Sequence, residues 1–452
     1  MICFQKYPEV IVVTSNYRLG PLGFLASHSL QAQTSDGSVG NFGIQDQRAT
    51  MRWIRDNIAS FGGNPSSVTI QGESAGAGSV SNHIMMPKSA GLFHRGITES
   101  GPFAPWSSQT LETSMVKYNQ VAISSGCYTP KGSALRAAAV DALGLTDAEA
   151  KFVSSDAKVL ACLRTKDGKE LADIHVVSGL LSWSPVVDGV ELTDTVLHLA
   201  KQGKIANPVP VLGGTNRDEG TMFVPDDIPK DLNASAFIPT VAKFLKNESV
   251  AMSVAALYPL TGCKSPWWCV ATMLGDAGIT CPTRATATAL TAKGMPYYRY
   301  FFQHELEVVK DFVPNKGVFH GSELVFVFDI GLALWEKAEK QLSSAFVQYW
   351  YNFIATGNPN GVGLPTWPVH DSEDALNVLD TDTDGGSGIH TQTNLKKPEC
   401  DFWDSHPVSM SVIYGDPLTP SSSTSVDDDH TTEQGAANPL SIIDGAVHAT
   451  AA

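Results

Sequence analysis

Positive charge is scarce in this sequence: 31 Lys and Arg stand against 46 Asp and Glu in 452 residues, a net charge of −15. That balance repels phosphate backbones and anionic lipid surfaces, which argues against nucleic acid and acidic membranes as partners. Long apolar runs are missing too, none approaching the ~18 residues a membrane-spanning helix needs. No Cys/His spacing suggests a zinc site, since Cys263-x5-Cys269 has no second Cys or His pair nearby. The first residues, Met1-Ile2-Cys3-Phe4-Gln5-Lys6-Tyr7-Pro8, are too short in apolar character for a signal peptide and carry no cleavage pattern. No internal repeat or linker interrupts residues 9–405, which predicts one large domain over residues 1–406. After His406 there is no Lys or Arg at all. Asp416, Asp427, Asp428, Asp429, Glu433 and Asp444 lie there among Ser, Thr and Pro, so residues 407–452 are expected to form a disordered acidic tail.

What the chain does have is enough apolar content, 43%, for a substantial core. Residues 9–18 and 67–71 read as buried strands, nearly continuous in β-branched residues. Between them Ile44, Met51, Ile54 and Ile58 recur at helical spacing until Gly62, Gly63 and Pro65 stop the helix. Strand–helix–strand predicts an α/β fold. Further strands are expected at His94–Glu99, Val209–Leu212 and Tyr297–Phe302, and helices at Ala134–Leu143, Val241–Lys246 and Gln341–Ile354.

The most informative stretch is Ser67-Val68-Thr69-Ile70-Gln71-Gly72-Glu73-Ser74-Ala75-Gly76. Gly-x-Ser-x-Gly between a strand and a helix is a nucleophile elbow, with glycines where the turn leaves no room for a Cβ. The serine hydroxyl then stands at a helix N-terminus, where developing negative charge is favoured, and the Ala75 N–H is one oxyanion donor. A serine nucleophile needs a base, and the base an orienting carboxylate.

The flanking motifs Asn16-Tyr17-Arg18-Leu19-Gly20-Pro21-Leu22-Gly23-Phe24-Leu25, Gly40-Asn41-Phe42-Gly43-Ile44-Gln45-Asp46-Gln47 and Phe61-Gly62-Gly63-Asn64-Pro65 extend the pattern. Together with the elbow they resemble the type-B carboxylesterase/lipase family, the cholinesterase-like α/β-hydrolases, from Ile11 to about Trp403. The resemblance implies an α/β-hydrolase fold: a mostly parallel central sheet flanked by helices. It places the acid of a Ser-Glu-His triad on Glu219, in Leu212-Gly213-Gly214-Thr215-Asn216-Arg217-Asp218-Glu219-Gly220-Thr221, with Asp218 as the competing choice. The base falls on His320, in Gly317-Val318-Phe319-His320-Gly321-Ser322-Glu323. Glu73, Ser100 and Glu323 match supporting positions beside the triad, against the plain alternative of surface polarity. Trp106, Phe103, Phe223 and Phe326 could line an apolar pocket or belong to the core. Resemblance and spacing together pair Cys127 with Cys162, Cys281 with Cys400 and Cys263 with Cys269, leaving Cys3 over. The alternative is a set of buried free thiols in a cytosolic protein.

The function so implied is hydrolysis of neutral or lipid-like carboxylic esters through an acyl-enzyme, with no metal or cofactor and a small-molecule ester as partner. Two rival expectations stand beside it: a catalytically impaired cholinesterase-like binding or adhesion relative, and an interfacial lipase or sterol esterase. The cysteines and the sequons at Asn233 and Asn247 lean toward secretion. One family element is not found. Residues 1–15 hold nothing like its His-Gly-Gly-Gly-type oxyanion loop. The expectation is therefore an α/β-hydrolase truncated at its N-terminus, lacking strands there, with an unpaired gap between the Asn-Tyr-Arg strand and the nucleophile strand.

Overall fold

The computed structural model describes residue 7 and residues 9–129, 153, 155–174, 183–245, 247–306, 315–330, 335–382, 386, 388–406 and 448–451. The expected helix at Ala134–Leu143, Cys3 and most of the tail lie outside these residues.

Strand β1 (Ile11–Thr14) leads to helix α1 (Phe42–Asn57), which buries Ile44, Met51 and Ile54 at the periodicity expected of an amphipathic helix. A 3-10 turn at Ile58–Phe61 and Gly62, at φ 85°, end it. Strand β2 (Val68–Glu73) and helix α2 (Ala75–Met85) follow with only Ser74 between them. Strands β3 (Arg95–Glu99), β4 (Val211–Asn216) and β5 (Tyr297–Phe302) add in parallel to β2, in that order. Helix α3 (Pro266–Gly275) precedes β5, and helix α4 (Lys337–Thr356) follows it. Beyond β5 the sheet continues through β6 (Leu376–Leu379), parallel, and β7 (His390–Gln392), antiparallel. Every residue of β4 and β5 is buried, as expected of parallel strands covered on both faces.

Strand β4 runs four residues past the expected end at Leu212. Gly213 and Gly214 weaken the strand signal, yet the sheet requires them. A Cβ on Gly213 would lie 2.3 Å from Thr98 Oγ1, and one on Gly214 2.3 Å from the Tyr300 ring.

The expected gap beside β2 is filled. Strand β8 (His448–Ala451) lies between β1 and β2 and is antiparallel to both. Ala449 pairs with Val13 on one side and Ile70 on the other, and Thr450 with Val12 and Thr69. The expectation of a wholly disordered tail therefore fails for these four residues, because two facing sheet edges offer backbone partners to any extended segment that reaches them.

Helices close both faces of the sheet. The core beneath α1 and α2 gathers Ile44, Ile54, Ile70, Val80 and Ile84, and the other face packs Tyr300, Phe302, Phe326, Phe346 and Trp350. Phe103 and Phe326 are fully buried in these clusters. Three disulfides tie the periphery: Cys127–Cys162, Cys263–Cys269 and Cys281–Cys400. No helix among the described residues is long and apolar enough to cross a membrane.

Candidate active site

Ser74 sits alone between β2 and α2 with φ 55° and ψ −116°, a backbone conformation costing about 1–3 kcal/mol for a residue with a side chain. The packing of the two glycines enforces it. A Cβ on Gly72 would fall 2.2 Å from the Gly76 carbonyl carbon, so strand and helix approach closely only with glycine there. The Ser74 N–H bonds to the Glu99 carbonyl at 2.9 Å, and the Gly78 N–H closes the first turn of α2 onto the Ser74 carbonyl. Ala75 is the exposed first residue of that helix, among amides a helix leaves without intrahelical partners.

Glu219 opens the short turn after β4, and His320 lies on a loop that follows β5 in sequence. His320 Nδ1 is 2.6 Å from Glu219 Oε2, with Glu219 1% and His320 10% exposed. The other Glu219 oxygen accepts the Asn216 N–H at 2.7 Å, which fixes the carboxylate's orientation. On the far side of the ring, His320 Nε2 lies 3.2 Å from Glu73 Oε1. Among the described residues, no hydrogen bond links Ser74 to His320. Phe223 packs edge-on against the imidazole at 4.9 Å.

Asp218 does not compete for the histidine. Its carboxylate accepts the Val318 N–H at 2.8 Å and Arg217 Nε at 3.0 Å.

Behind Glu219 lies a second, fully buried group. Glu323 accepts from Asn216 Nδ2 on one oxygen and from Ser100 Oγ and Tyr300 OH, each at 3.2 Å, on the other. Glu99, opposite Glu73 in the β2–β3 register, accepts from Gln71 Nε2 at 2.7 Å. Glu73, Ser100 and Glu323 thus all come to the site. Glu99, Asn216 and Tyr300 join them without any sequence signal of their own beyond their neighbours in the motifs. Three strands had to be laid side by side before they could be seen.

The electrostatics follow from burial and this crowding of acids. Burial alone would lower the His320 pKa, but Glu73 and Glu219 outweigh it and raise it to about 10. Glu323 is pushed up to about 7 by burial and then by Glu219. Burial, followed by the charge of Glu323, holds the Glu99 carboxyl well above the ordinary range. The imidazole between two carboxylates is thus stabilised in its charged form.

Of the aromatic candidates, Trp106 packs beside Gly101 and Gly78, next to the elbow, and Phe223 against His320. The Trp106 ring lies where a Cβ on Gly101 would be, at 2.5 Å, and its Nε1 donates to the Gly278 carbonyl. No group of His, Cys, Asp and Glu among the described residues could hold a metal ion.

A strained serine on a strand–helix turn, within a parallel sheet whose later strands deliver a carboxylate-bound histidine, defines the α/β-hydrolase class. The model of the Carboxylesterase family matches residues 2–403, and the chain belongs to that family. It is similar to Pyrethroid hydrolase Ces2e of Rattus norvegicus, 35% identical over 393 residues covering 82% of this chain and 62% of the relative. It is also similar to Carboxylesterase 5A of Canis lupus familiaris, 32% identical over 92% of this chain and 68% of that protein. Cholinesterase of Mus musculus is 32% identical over 88% and 64%. The chain thus spans about two-thirds of the length of these relatives.

Proposed function

We propose that the protein is a serine hydrolase of neutral or lipid-like carboxylic esters. The observation that carries this reading is the 2.6 Å contact between Glu219 and His320, brought beside the strained Ser74 elbow. Membership of a family that includes proteins named carboxylesterase and pyrethroid hydrolase supports the ester as substrate. His320, once neutral and turned from Glu73 toward Ser74, removes the hydroxyl proton as Oγ attacks the ester carbonyl carbon. The Ala75 N–H receives the oxyanion that forms, at a helix terminus that favours negative charge. Collapse breaks the C–O bond to the alcohol, which leaves with the proton His320 held, and an acyl group remains on Ser74. Water, giving its proton to His320, then attacks the acyl carbonyl carbon; the bond from that carbon to Ser74 Oγ breaks, His320 returns the proton to Oγ, and the acid leaves. Glu219 keeps the imidazole oriented and its charged form stable throughout. The acids around the site disfavour anionic esters, and Trp106 and Phe223 offer apolar contact. Three disulfides and the exposed sequons at Asn233 and Asn247 support maturation in an oxidising secretory compartment.

The second reading, a catalytically silent binding relative, draws on the position of His320 Nε2, 3.2 Å from Glu73 Oε1 and, among the described residues, without a hydrogen bond to Ser74. Hydrolysis of p-nitrophenyl butyrate by the chain and its Ser74→Ala variant separates the two. Turnover lost by a factor of at least about 10³ in the variant is expected. Equal rates near background in both would favour the silent relative.

A further inference from the structure

We infer that Asp218 is a positioning residue, clamping the loop of His320 to the turn of Glu219 so that base and carboxylate move as one unit. The inference rests on the reading of Ser74, Glu219 and His320 as a catalytic triad.

Glu219 and His320 are 101 residues apart in sequence, and each is carried on an irregular segment rather than on a strand or long helix. Something must hold the two segments in register, because a misplacement of about 1 Å at a catalytic contact costs roughly 10² in rate. Asp218 takes both backbone groups of Val318. The Asp218 N–H donates to the Val318 carbonyl at 2.9 Å, and the Asp218 carboxylate accepts the Val318 N–H at 2.8 Å. Flanking rungs extend the clamp. Thr221 Oγ1 donates to the Lys316 carbonyl at 2.8 Å, Lys316 Nζ to the Thr221 carbonyl at 2.6 Å, and Asn216 Nδ2 to the Phe319 carbonyl at 2.9 Å.

The fit of the loop is specific to this carboxylate. Gly317 adopts φ +64°, and a Cβ there would stand 2.3 Å from Asp218 Oδ2 and 3.0 Å from the Trp268 ring. The turn of Glu219 is in turn seated on α3, where a Cβ on Gly220 would strike the Ala271 carbonyl oxygen at 1.9 Å. Arg217 shares the same oxygen, Oδ2, at 3.0 Å from Nε and 2.9 Å from Nη2, and itself reaches Glu305 at 3.6 Å. Among the described residues, the charged group paired with Asp218 is Arg217, which in turn reaches Glu305. A carboxylate next in sequence to the candidate acid has a task of its own: it holds the histidine's backbone while Glu219 holds its ring.

Asp218→Ala and Asp218→Asn in the full chain test this, read by kcat, KM, the pH dependence of kcat and deuterium exchange at the Val318 amide. The amide oxygen of the Asn variant can still accept the Val318 N–H; alanine cannot. The Ala variant is expected to lose about 10² in kcat with KM within about twofold. Its acidic limb should move to lower pH as His320 slips from Glu219, and the Val318 amide should exchange faster. The Asn variant is expected to restore kcat to within a few-fold and to keep both the limb and the amide protection. Faster exchange in the Ala variant with unchanged kcat and pH limb would overturn the inference. So would equal impairment of both variants. Should the Ala variant not fold, a tenfold loss of kcat in folded Asp218→Asn would overturn it alone. If Ser74→Ala retains full turnover, it is the triad reading that has failed, whatever Asp218 does.

Discussion

At Ser74, fold and chemistry make the same demand. The serine sits half-buried on a strained backbone, and Gly72 lets strand and helix touch there, because a Cβ would strike the Gly76 carbonyl. Around it, three buried or half-buried acids, Glu73, Glu219 and Glu323, shape the charge of one histidine. A general base must be neutral to act, so the rate should rise as pH passes the His320 pKa, which the two flanking carboxylates raise to about 10. The acidic limb of kcat/KM is therefore expected above the ordinary histidine range. Glu73→Gln removes one of those carboxylates, and the limb should fall by about one pH unit or more. A limb left in place by that substitution would show that the Glu73 contact does not govern His320.

Ser74, Glu219 and His320 stand out in the sequence as candidates because each lies in a contiguous motif, and of the three the structure joins Glu219 to His320 by a direct bond. The supporting network was only partly legible. Ser100 and Glu323 could be matched by position, whereas the partners that define their role, Asn216 and Tyr300, come from β4 and β5 and meet only through strand register. Asp218 shows the same limit in a sharper form. Its sequence admits it as a rival acid, and only its bonds to Val318 and Arg217 give it different work.

Among the elements, the central strands were readable from runs of β-branched and aromatic residues. Strand β8 was not. His448-Ala449-Thr450-Ala451 has no apolar alternation and stands at the end of an acidic, Ser/Thr-rich stretch, so nothing local marks it as a strand. It forms because β1 and β2 present facing edges, and each buried backbone group left unpaired there costs about 1–3 kcal/mol. Deletion of residues 407–452 is accordingly expected to lower Tm and to accelerate amide exchange across Ile11–Thr14 and Val68–Gln71. Unchanged exchange in both segments would mean that β8 does not secure this part of the sheet.

At the scale of the whole molecule, the sheet brings together groups from five parts of the chain: the elbow after β2, the end of β3, the turn after β4, Tyr300 of β5 and the His320 loop. Helices pack above and below the sheet, and the Cys281–Cys400 disulfide joins segments 119 residues apart. The claim that ties this architecture to a function is the acyl-enzyme on Ser74. It is tested most directly by quenching the chain with acid during turnover of p-nitrophenyl butyrate and mapping the modified peptide by mass spectrometry. A single butyryl group on the peptide containing Ser74, absent from the Ser74→Ala variant, is the predicted result. Turnover with no adduct on Ser74, or with the adduct on another residue, would contradict it.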